Sequence, residues 1–388
     1  MKYRKFGKLD WEVSALGFGA MRLPTIGGNQ ANIDETQAIQ MIRYAIDNGV
    51  NYIDSGYRYH NGQSERLIGK ALKDGYREKI RVATKMPVQM VEKAEDFDRL
   101  FNEQLERYQL DKLDFYLFHG LRKEYWPRVK ELGILAWAEK KMAQGYFDHL
   151  GFSFHDEYDV FKGILDDYDN WTLCQIQYNF IDVNFQAGRR GVEYAAGKGM
   201  GIVVMEPLRG GRLAKTPPDV VQKVWDSAQN KRSPIEWAFQ WVWNQPEISV
   251  ALSGMSATAH VVDNIAIAGR SGLVKLTADE LVIIERARQA YQGLNPIPCT
   301  GCNYCMPCPN GVDIPRNFAI YNEAHMWNDI RSGIGRYAGQ GPQGGLTESQ
   351  RADKCLECGE CLEACPQSIE IPDWMKKVSA ELGVQPQP

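Results

Sequence analysis

Eight of the nine cysteines lie between Cys299 and Cys365, and only Cys174 stands outside that window. They form two runs, Cys299-x2-Cys302-x2-Cys305-x2-Cys308-Pro309 and Cys355-x2-Cys358-x2-Cys361-x3-Cys365-Pro366. Three cysteines at this spacing let one tight loop place three thiolates around a common centre, which no ordinary hydrophobic core requires. The chain opens Met1-Lys-Tyr-Arg-Lys-Phe6 with no apolar export run. The expectation is therefore a cytoplasmic protein whose thiols stay reduced and bind metal. Zinc is the alternative occupant, but zinc knuckles usually supply two cysteines each and have no use for the terminal Cys-Pro. The spacing favours two 4Fe-4S clusters, held by Cys299, Cys302, Cys305, Cys308, Cys355, Cys358, Cys361 and Cys365. Cys174, in an apolar run, reads as a buried core residue.

Before this tail the chain alternates short apolar runs with amphipathic stretches. The candidate strands are Val13–Phe18, Val50–Ile53, Ile80–Thr84, Leu113–Phe118, Leu150–Ser153, Leu173–Tyr178, Gly201–Met205 and Ile248–Ser253. Between them lie candidate helices Glu35–Asp47, Gln63–Lys73, Glu95–Tyr108, Trp126–Met142, Glu157–Leu165, Val192–Lys198, Pro234–Asn244 and Ala259–Ala268. Asp34, Ser233 and Thr258 are candidate N-caps, and Gly49, Gly75, Gly145 and Gly199 candidate stops. Strands separated by helices imply parallel pairing, and eight such units imply a closed (β/α)8 TIM barrel. Met1–Asp10 is expected to be a hairpin covering the barrel's bottom. The domains expected are a barrel over residues 1–285, a small, mainly helical iron-sulfur domain over 286–384, and a disordered tail at 385–388. A net charge of −4 gives no footprint for nucleic acid, and no apolar run is long enough to span a membrane.

Three consecutive strands end in titratable residues: Asp54, Lys85 and His119. In a parallel barrel the carboxyl ends of the strands form one mouth, so the three side chains are expected to converge. Tyr57 and Tyr59 follow Asp54 within one short loop. Together these suit reversible reduction of a carbonyl. Hydride arriving at carbon leaves an alkoxide that needs a proton, and a tyrosine hydroxyl can supply it. A lysine ammonium beside the tyrosine is expected to lower its pKa, a carboxylate to keep the lysine charged, and a histidine to orient the substrate oxygen. Position alone does not choose between Tyr57 and Tyr59. The Rossmann G-x-G-x-x-G, the P-loop and H-E-x-x-H are all absent. Trp126, Tyr57 and Phe154 are candidate pocket walls, although core packing accounts for most aromatics.

Asp54-Ser-Gly-Tyr-Arg-Tyr59 with Glu65, Ala83-Thr-Lys85 and Leu113-Asp-Phe-Tyr-Leu-Phe-His119 resemble the aldo-keto reductase superfamily. So do Leu150-Gly-Phe-Ser153, Gln175-Ile-Gln-Tyr-Asn179, Gly201-Ile-Val-Val-Met-Glu-Pro-Leu208 and Asp263-Asn264. The resemblance implies a catalytic set of Asp54, Tyr59, Lys85 and His119, with Tyr59 as general acid. It also implies NADP or NAD bound in extended form across the barrel mouth. Ser153 and Gln175 would hold the carboxamide, Met205 would take the place of a ring-stacking tyrosine, and Pro207, Leu208, Gly210 and Gly211 would flank the pyrophosphate. Ser256, His260 and Asn264 would line the adenosine end. Gly254 and His260 replace basic residues that many members aim at a 2′-phosphate, leaving Arg209, Arg212 or Lys215 as substitutes.

The tail resembles a two-cluster bacterial-type ferredoxin, in its α-helical variant. The family's crossing pattern would give one cluster to Cys299, Cys302, Cys305 and Cys365 and the other to Cys355, Cys358, Cys361 and Cys308. A helix is expected over Pro315–Ile330, followed by a loop with six glycines between Gly333 and Gly345. The combined resemblance is to iron-sulfur aldo-keto reductases acting on a small-molecule carbonyl or alcohol. Nicotinamide passes two electrons as hydride and a 4Fe-4S cluster accepts one, with no flavin motif between them. This leaves a flavoprotein partner, a bound flavin or a structural cluster role. Two other functions fit the residues: an electron carrier with the barrel as docking platform, or a one-electron reductase without nicotinamide.

Overall fold

The computed structural model describes residues 1–272, 276–299, 301–340 and 345–383. They divide into two compact units. The first comprises Met1–Pro217 and Ala228–Ile284; the second takes Pro218–Ser227 and the chain from Glu285 onward.

The first unit is built on ten strands. They are β1 (Tyr3–Lys5), β2 (Glu12–Ser14), β3 (Leu16–Gly19), β4 (Tyr52–Asp54), β5 (Arg81–Met86), β6 (Leu113–Leu121), β7 (Phe147–Phe154), β8 (Leu173–Gln177), β9 (Gly201–Met205) and β10 (Val250–Gly254). Strands β3 to β10 close into a barrel in sequence order, with β10 returning to β3, and every pairing is parallel. Parallel strands covered on both faces need continuous apolar runs, and Leu173–Gln177 is buried at every position. The run expected as one strand over Val13–Phe18 is broken. Glu12–Ser14 pairs antiparallel with Tyr3–Lys5, and only Leu16–Gly19 joins the barrel. The hairpin's Phe6 packs with Tyr52, Phe115, Leu117 and Val203 in the barrel core. A Cβ at Gly201 would lie 2.3 Å from the Phe6 ring, so glycine is required there. Arg4 fastens the hairpin by donating to the carbonyls of Ile248, Trp243 and Gln245 at 2.7, 2.9 and 2.7 Å.

Asp34 and Ser233 cap their helices by accepting the N–H groups of Gln37 and Glu236. Thr258 does not cap: it is the first helical residue, and Ala257 holds the cap position with no side-chain bond. The helix expected over Trp126–Met142 is two, Trp126–Glu131 and Ile134–Ala143, divided at Gly133, whose φ is 85°. Gly49, Gly75, Gly145 and Gly199 all take the left-handed backbone that ends a helix at low steric cost.

The second unit packs helices Ile314–Met326, Ile330–Tyr337 and Ile371–Leu382 around a core of Phe318, Ile320, Met375, Val378 and Leu382. The helix expected over Pro315–Ile330 stops at Met326, and Asp329 caps a new one by accepting the Ser332 N–H. Gly333 and Gly335 are therefore helical rather than part of a loop. The tail expected to be disordered lies outside the described residues. Among the described residues no helix is long and apolar enough to cross a membrane.

Candidate active site and candidate metal centres

Asp54 closes β4 level with Ala83. Lys85 lies two residues further along β5, level with Leu117, and His119 two residues beyond Leu117 on β6. Tyr52, Ala83 and Leu117 belong to the barrel core, and residues two apart on a strand share a face. Barrel stagger thus carries the three polar residues inward in steps, just past the apolar layer.

Lys85 is 1% exposed and Asp54 3%. Lys85 Nζ donates to Asp54 Oδ1 at 2.6 Å, to the Ser55 carbonyl at 2.5 Å and to the Tyr59 hydroxyl at 3.4 Å. The Tyr59 ring meets His119 edge-on, with centroids 5.7 Å apart and planes at 81°. Gly56 leaves room for both: a Cβ there would lie 3.2 Å from Tyr59 Cζ and 3.4 Å from His119 Cε1. Tyr57 turns elsewhere. Its hydroxyl bonds to Glu103, and the Arg107 guanidinium lies 4.0 Å from its ring centroid.

Burial raises the Tyr59 pKa, and the Lys85 ammonium offsets only part of the rise. The expected lowering is therefore reversed, because desolvating a phenolate outweighs one ammonium already shared with Asp54. Burial likewise raises Asp54 despite Lys85. It also opposes the Lys85 ammonium, but Asp54 and Tyr59 more than compensate, and the Lys85 pKa is raised. His119 is held well below its ordinary value by burial, then by Lys85, His155 and Arg58. Near neutral pH the set is a phenol, an ammonium and a neutral imidazole.

Behind it lies a second polar network centred on Glu65, which is fully buried. Glu65 accepts from Thr84 Oγ1 and Gln104 Nε2, both at 2.7 Å, and from Arg107 Nη1 at 3.0 Å. Gln104 also donates to the Lys85 carbonyl at 3.1 Å, and Arg107 to the Tyr57 carbonyl at 2.9 Å. One carboxylate thus ties down the backbones of both Lys85 and the Tyr57–Tyr59 loop. Gln104 was legible as an anomaly, a polar residue on the buried stripe of Phe97, Leu100, Phe101 and Tyr108.

Of the expected nucleotide contacts, Ser153 Oγ accepts the Gly120 N–H at 2.7 Å. Gln175 lies beside Asp54, favours its ionised form, and keeps a buried Oε1 without a donor. Met205 ends β9, half-buried, and Pro207 is buried with Leu208 half-buried beside it. Gly210 and Gly211 have φ of 68° and 88°, which exposes a side-chain-free stretch of backbone. Ser256 and His260 are exposed, whereas Asn264 is buried and donates to Ser253 Oγ at 3.0 Å. Arg209 is already committed to Asp182 at 3.0 Å. Arg22, which sequence reading missed, donates to the Gly210 carbonyl at 3.2 Å and stands 3.8 Å from Glu206. Trp126 and Phe154 are not pocket walls. Trp126 donates to Asp167 and packs on Trp171, and Phe154 packs on Phe152 and Phe161.

The cysteines of the second unit line two cavities. Cys299, Cys302, Cys305 and Cys365 line one; Cys308, Cys355, Cys358 and Cys361 line another, where Cys305 also reaches. Both sets mix the two motifs. Burial, followed by neighbouring thiols, raises the pKa of Cys299 and Cys361, and Cys305 is pushed up to about 11. Among the described residues no three His, Cys, Asp or Glu side chains converge as ligands of a single ion. Two buried asparagines on helix Ile314–Met326 set the segments leading into the motifs. Asn322 exchanges two hydrogen bonds with the backbone of Ile297, at 2.9 and 2.7 Å. Asn317 donates to the Asp313 and Gln350 carbonyls and accepts the Ala352 N–H.

Residues 15–288 match the aldo/keto reductase family. The chain belongs to that family. Residues 298–370 match a 4Fe-4S dicluster domain. The chain is 28% identical to L-galactose dehydrogenase of Arabidopsis thaliana over 291 residues, covering 69% of this chain and 88% of that protein. It is 25% identical to the NADH-specific methylglyoxal reductase of Escherichia coli (strain K12) over 313 residues, covering 69% and 93%. The holo form of an aldo-keto reductase from Bacillus halodurans superposes with a TM-score of 0.62 at 26% identity, covering 74% of this chain and 96% of that one. The protein is an oxidoreductase of the aldo-keto reductase type that carries a 4Fe-4S dicluster domain, and Cys174 is a buried apolar residue of its barrel strand β8.

Proposed function

We propose that this reductase interconverts a carbonyl and an alcohol with NADPH or NADH, and that Tyr59 supplies the proton. The placement of Tyr59 between the Lys85 ammonium and the His119 imidazole carries this reading. A bound nicotinamide would supply hydride. The residues suit it: Gln175 Oε1 is a buried acceptor awaiting a donor, and Gly210-Gly211 leaves backbone open to a pyrophosphate. Ser153, Met205, Pro207, Leu208, Ser256, His260 and Asn264 are the other candidate contacts.

In the reductive direction the His119 imidazole orients the carbonyl oxygen. The carbonyl carbon gains a hydride and its π electron pair moves to oxygen. Tyr59 then transfers its proton to that oxygen, and the Lys85 ammonium stabilises the phenolate left behind. Asp54 keeps Lys85 charged. The raised Tyr59 pKa suits an acid that must stay protonated until the alkoxide forms.

The eight motif cysteines would hold two 4Fe-4S clusters in the crossed arrangement, one group of four at each cavity. The clusters would exchange single electrons with a flavoprotein or other redox partner, or stiffen the second unit. Anaerobic titration with NADPH and NADH, following nucleotide fluorescence, cluster absorbance and turnover of a test aldehyde, tests both readings. Turnover that is lost in Tyr59→Phe is expected. Failure to bind either nucleotide would instead favour the electron-carrier reading.

A further inference from the structure

The barrel mouth carries two arginines that the hydride chemistry does not use. Arg58 immediately precedes Tyr59 and is exposed; Arg122 follows β6, three residues past His119, and is half-buried. Neither guanidinium has a carboxylate, carbonyl or ring partner among the described residues.

The carboxylates nearby are committed. Asp54 pairs with Lys85, Glu65 and Glu103 with Arg107, and both Asp156 oxygens accept backbone N–H groups, from Lys123 and Glu157 at 2.8 Å. Two guanidiniums without an ion-pair partner among the described residues therefore stand at the strand ends around Tyr59 and His119.

They also lie within electrostatic reach of two imidazoles that burial keeps neutral. Arg58 acts on His119, and Arg122 on His155, whose pKa is lowered to about 4. His155 follows β7, its N–H directed to the Leu121 carbonyl at 3.4 Å, so it stands at the strand ends next to Arg122. His119 Nδ1 is buried without a partner, and His155 lies against Gln186 beside it. The candidate nucleotide loops follow β9 and β10, on other strands of the ring, so the two arginines are not accounted for by nucleotide phosphates.

We propose that the substrate is an anionic carbonyl compound, an aldehyde or ketone bearing a carboxylate or phosphate, and that Arg58 and Arg122 bind the anionic group while Tyr59 and His119 address the carbonyl. A guanidinium matches either anion through paired N–H donors, and two of them at the mouth raise the local concentration of incoming anions. This rests on the reductase reading above.

The test compares 4-carboxybenzaldehyde with its neutral isostere 4-formylbenzamide, and glyceraldehyde 3-phosphate with glyceraldehyde. Wild-type, Arg58→Ala, Arg122→Ala and double-variant holoenzymes are assayed, with melting temperatures confirming folding. Wild type should favour one anion over its neutral partner at least tenfold in kcat/KM. The double variant should lose at least tenfold more on that anion than on the neutral compound, mainly through KM, with the loss shrinking as salt rises. The pair that discriminates identifies carboxylate or phosphate. Equal activity on charged and neutral members, or equal losses on both, would overturn the proposal. Equilibrium binding of benzoate against benzamide, and of phosphate, is read independently of turnover. If no aldehyde is reduced but an anion binds and the double variant loses it, the reductase reading fails and the anion site stands. If none of these anions binds better than benzamide, the anion site fails whatever the turnover.

Discussion

The two chemical regions are built on opposite plans. Around Asp54, Lys85 and Tyr59 the charges are buried, paired and tied to a backbone fixed by Glu65, Gln104 and Arg107. This site is held by the protein's own hydrogen bonds. Around the cysteines, thiols of both motifs line open space, and Cys302 and Cys358 are exposed. That region is shaped to receive its organising group, so its stability should be linked to binding. A preorganised site loses rate when one atom is removed, whereas a receptive site loses its fold when the guest is removed.

The largest effect should come from emptying the cysteine region. Chelation of iron under oxidant should leave the barrel's cooperative melt in place. It should also open residues 285–383 to protease, reported by the cut sites. Survival of that segment uncut would make the two regions alike.

Next in size is Glu65→Ala, which leaves Arg107, Gln104 and Thr84 without their shared acceptor. Removing one partner of a buried ion pair costs about 3–5 kcal/mol, so denaturant unfolding of the barrel should shift by that amount. Tyr59→Phe should act the other way, changing the denaturation midpoint little and lowering kcat by roughly 10²- to 10⁴-fold, the usual weight of a general acid. Gly56→Ala is subtler. Its Cβ presses on Tyr59 and His119, and kcat should fall about tenfold with folding intact, as steady-state assays can show.

A further effect is in pH. Burial lowers the pKa of His119, and of His155 to about 4, so below pH about 6.5 the unfolded chain takes up protons that the folded chain does not. Stability should therefore fall as pH drops from about 6.5 towards 4, by roughly 2–3 kcal/mol for His155. Carbonyl reduction should stay level across neutral pH and decline only above pH about 10, as the raised Tyr59 phenol ionises.

Much of this was legible in the chain. Strand periodicity and eight repeats specified the barrel, and strand-end placement brought Asp54, Lys85 and His119 together, because register and stagger follow from a closed parallel sheet. The cysteine spacing marked both motifs. What was hidden depends on distance across the fold. Arg22 meets Gly210, and Arg107 meets Glu65, through contacts that no local pattern encodes. The direction of the Tyr59 shift was misjudged because composition does not reveal how thoroughly a loop residue is desolvated. Tyr57 and Tyr59, two residues apart, separate only once Glu103 and Arg107 are in place to hold Tyr57 away.

The most direct measurement is single-turnover oxidation of bound NADPH or NADH by an aldehyde, in wild-type and Tyr59→Phe holoenzymes with nucleotide affinity measured alongside. The account predicts unchanged nucleotide affinity and a hydride-transfer step slowed by two orders of magnitude or more. Equal rates in the two proteins would contradict it.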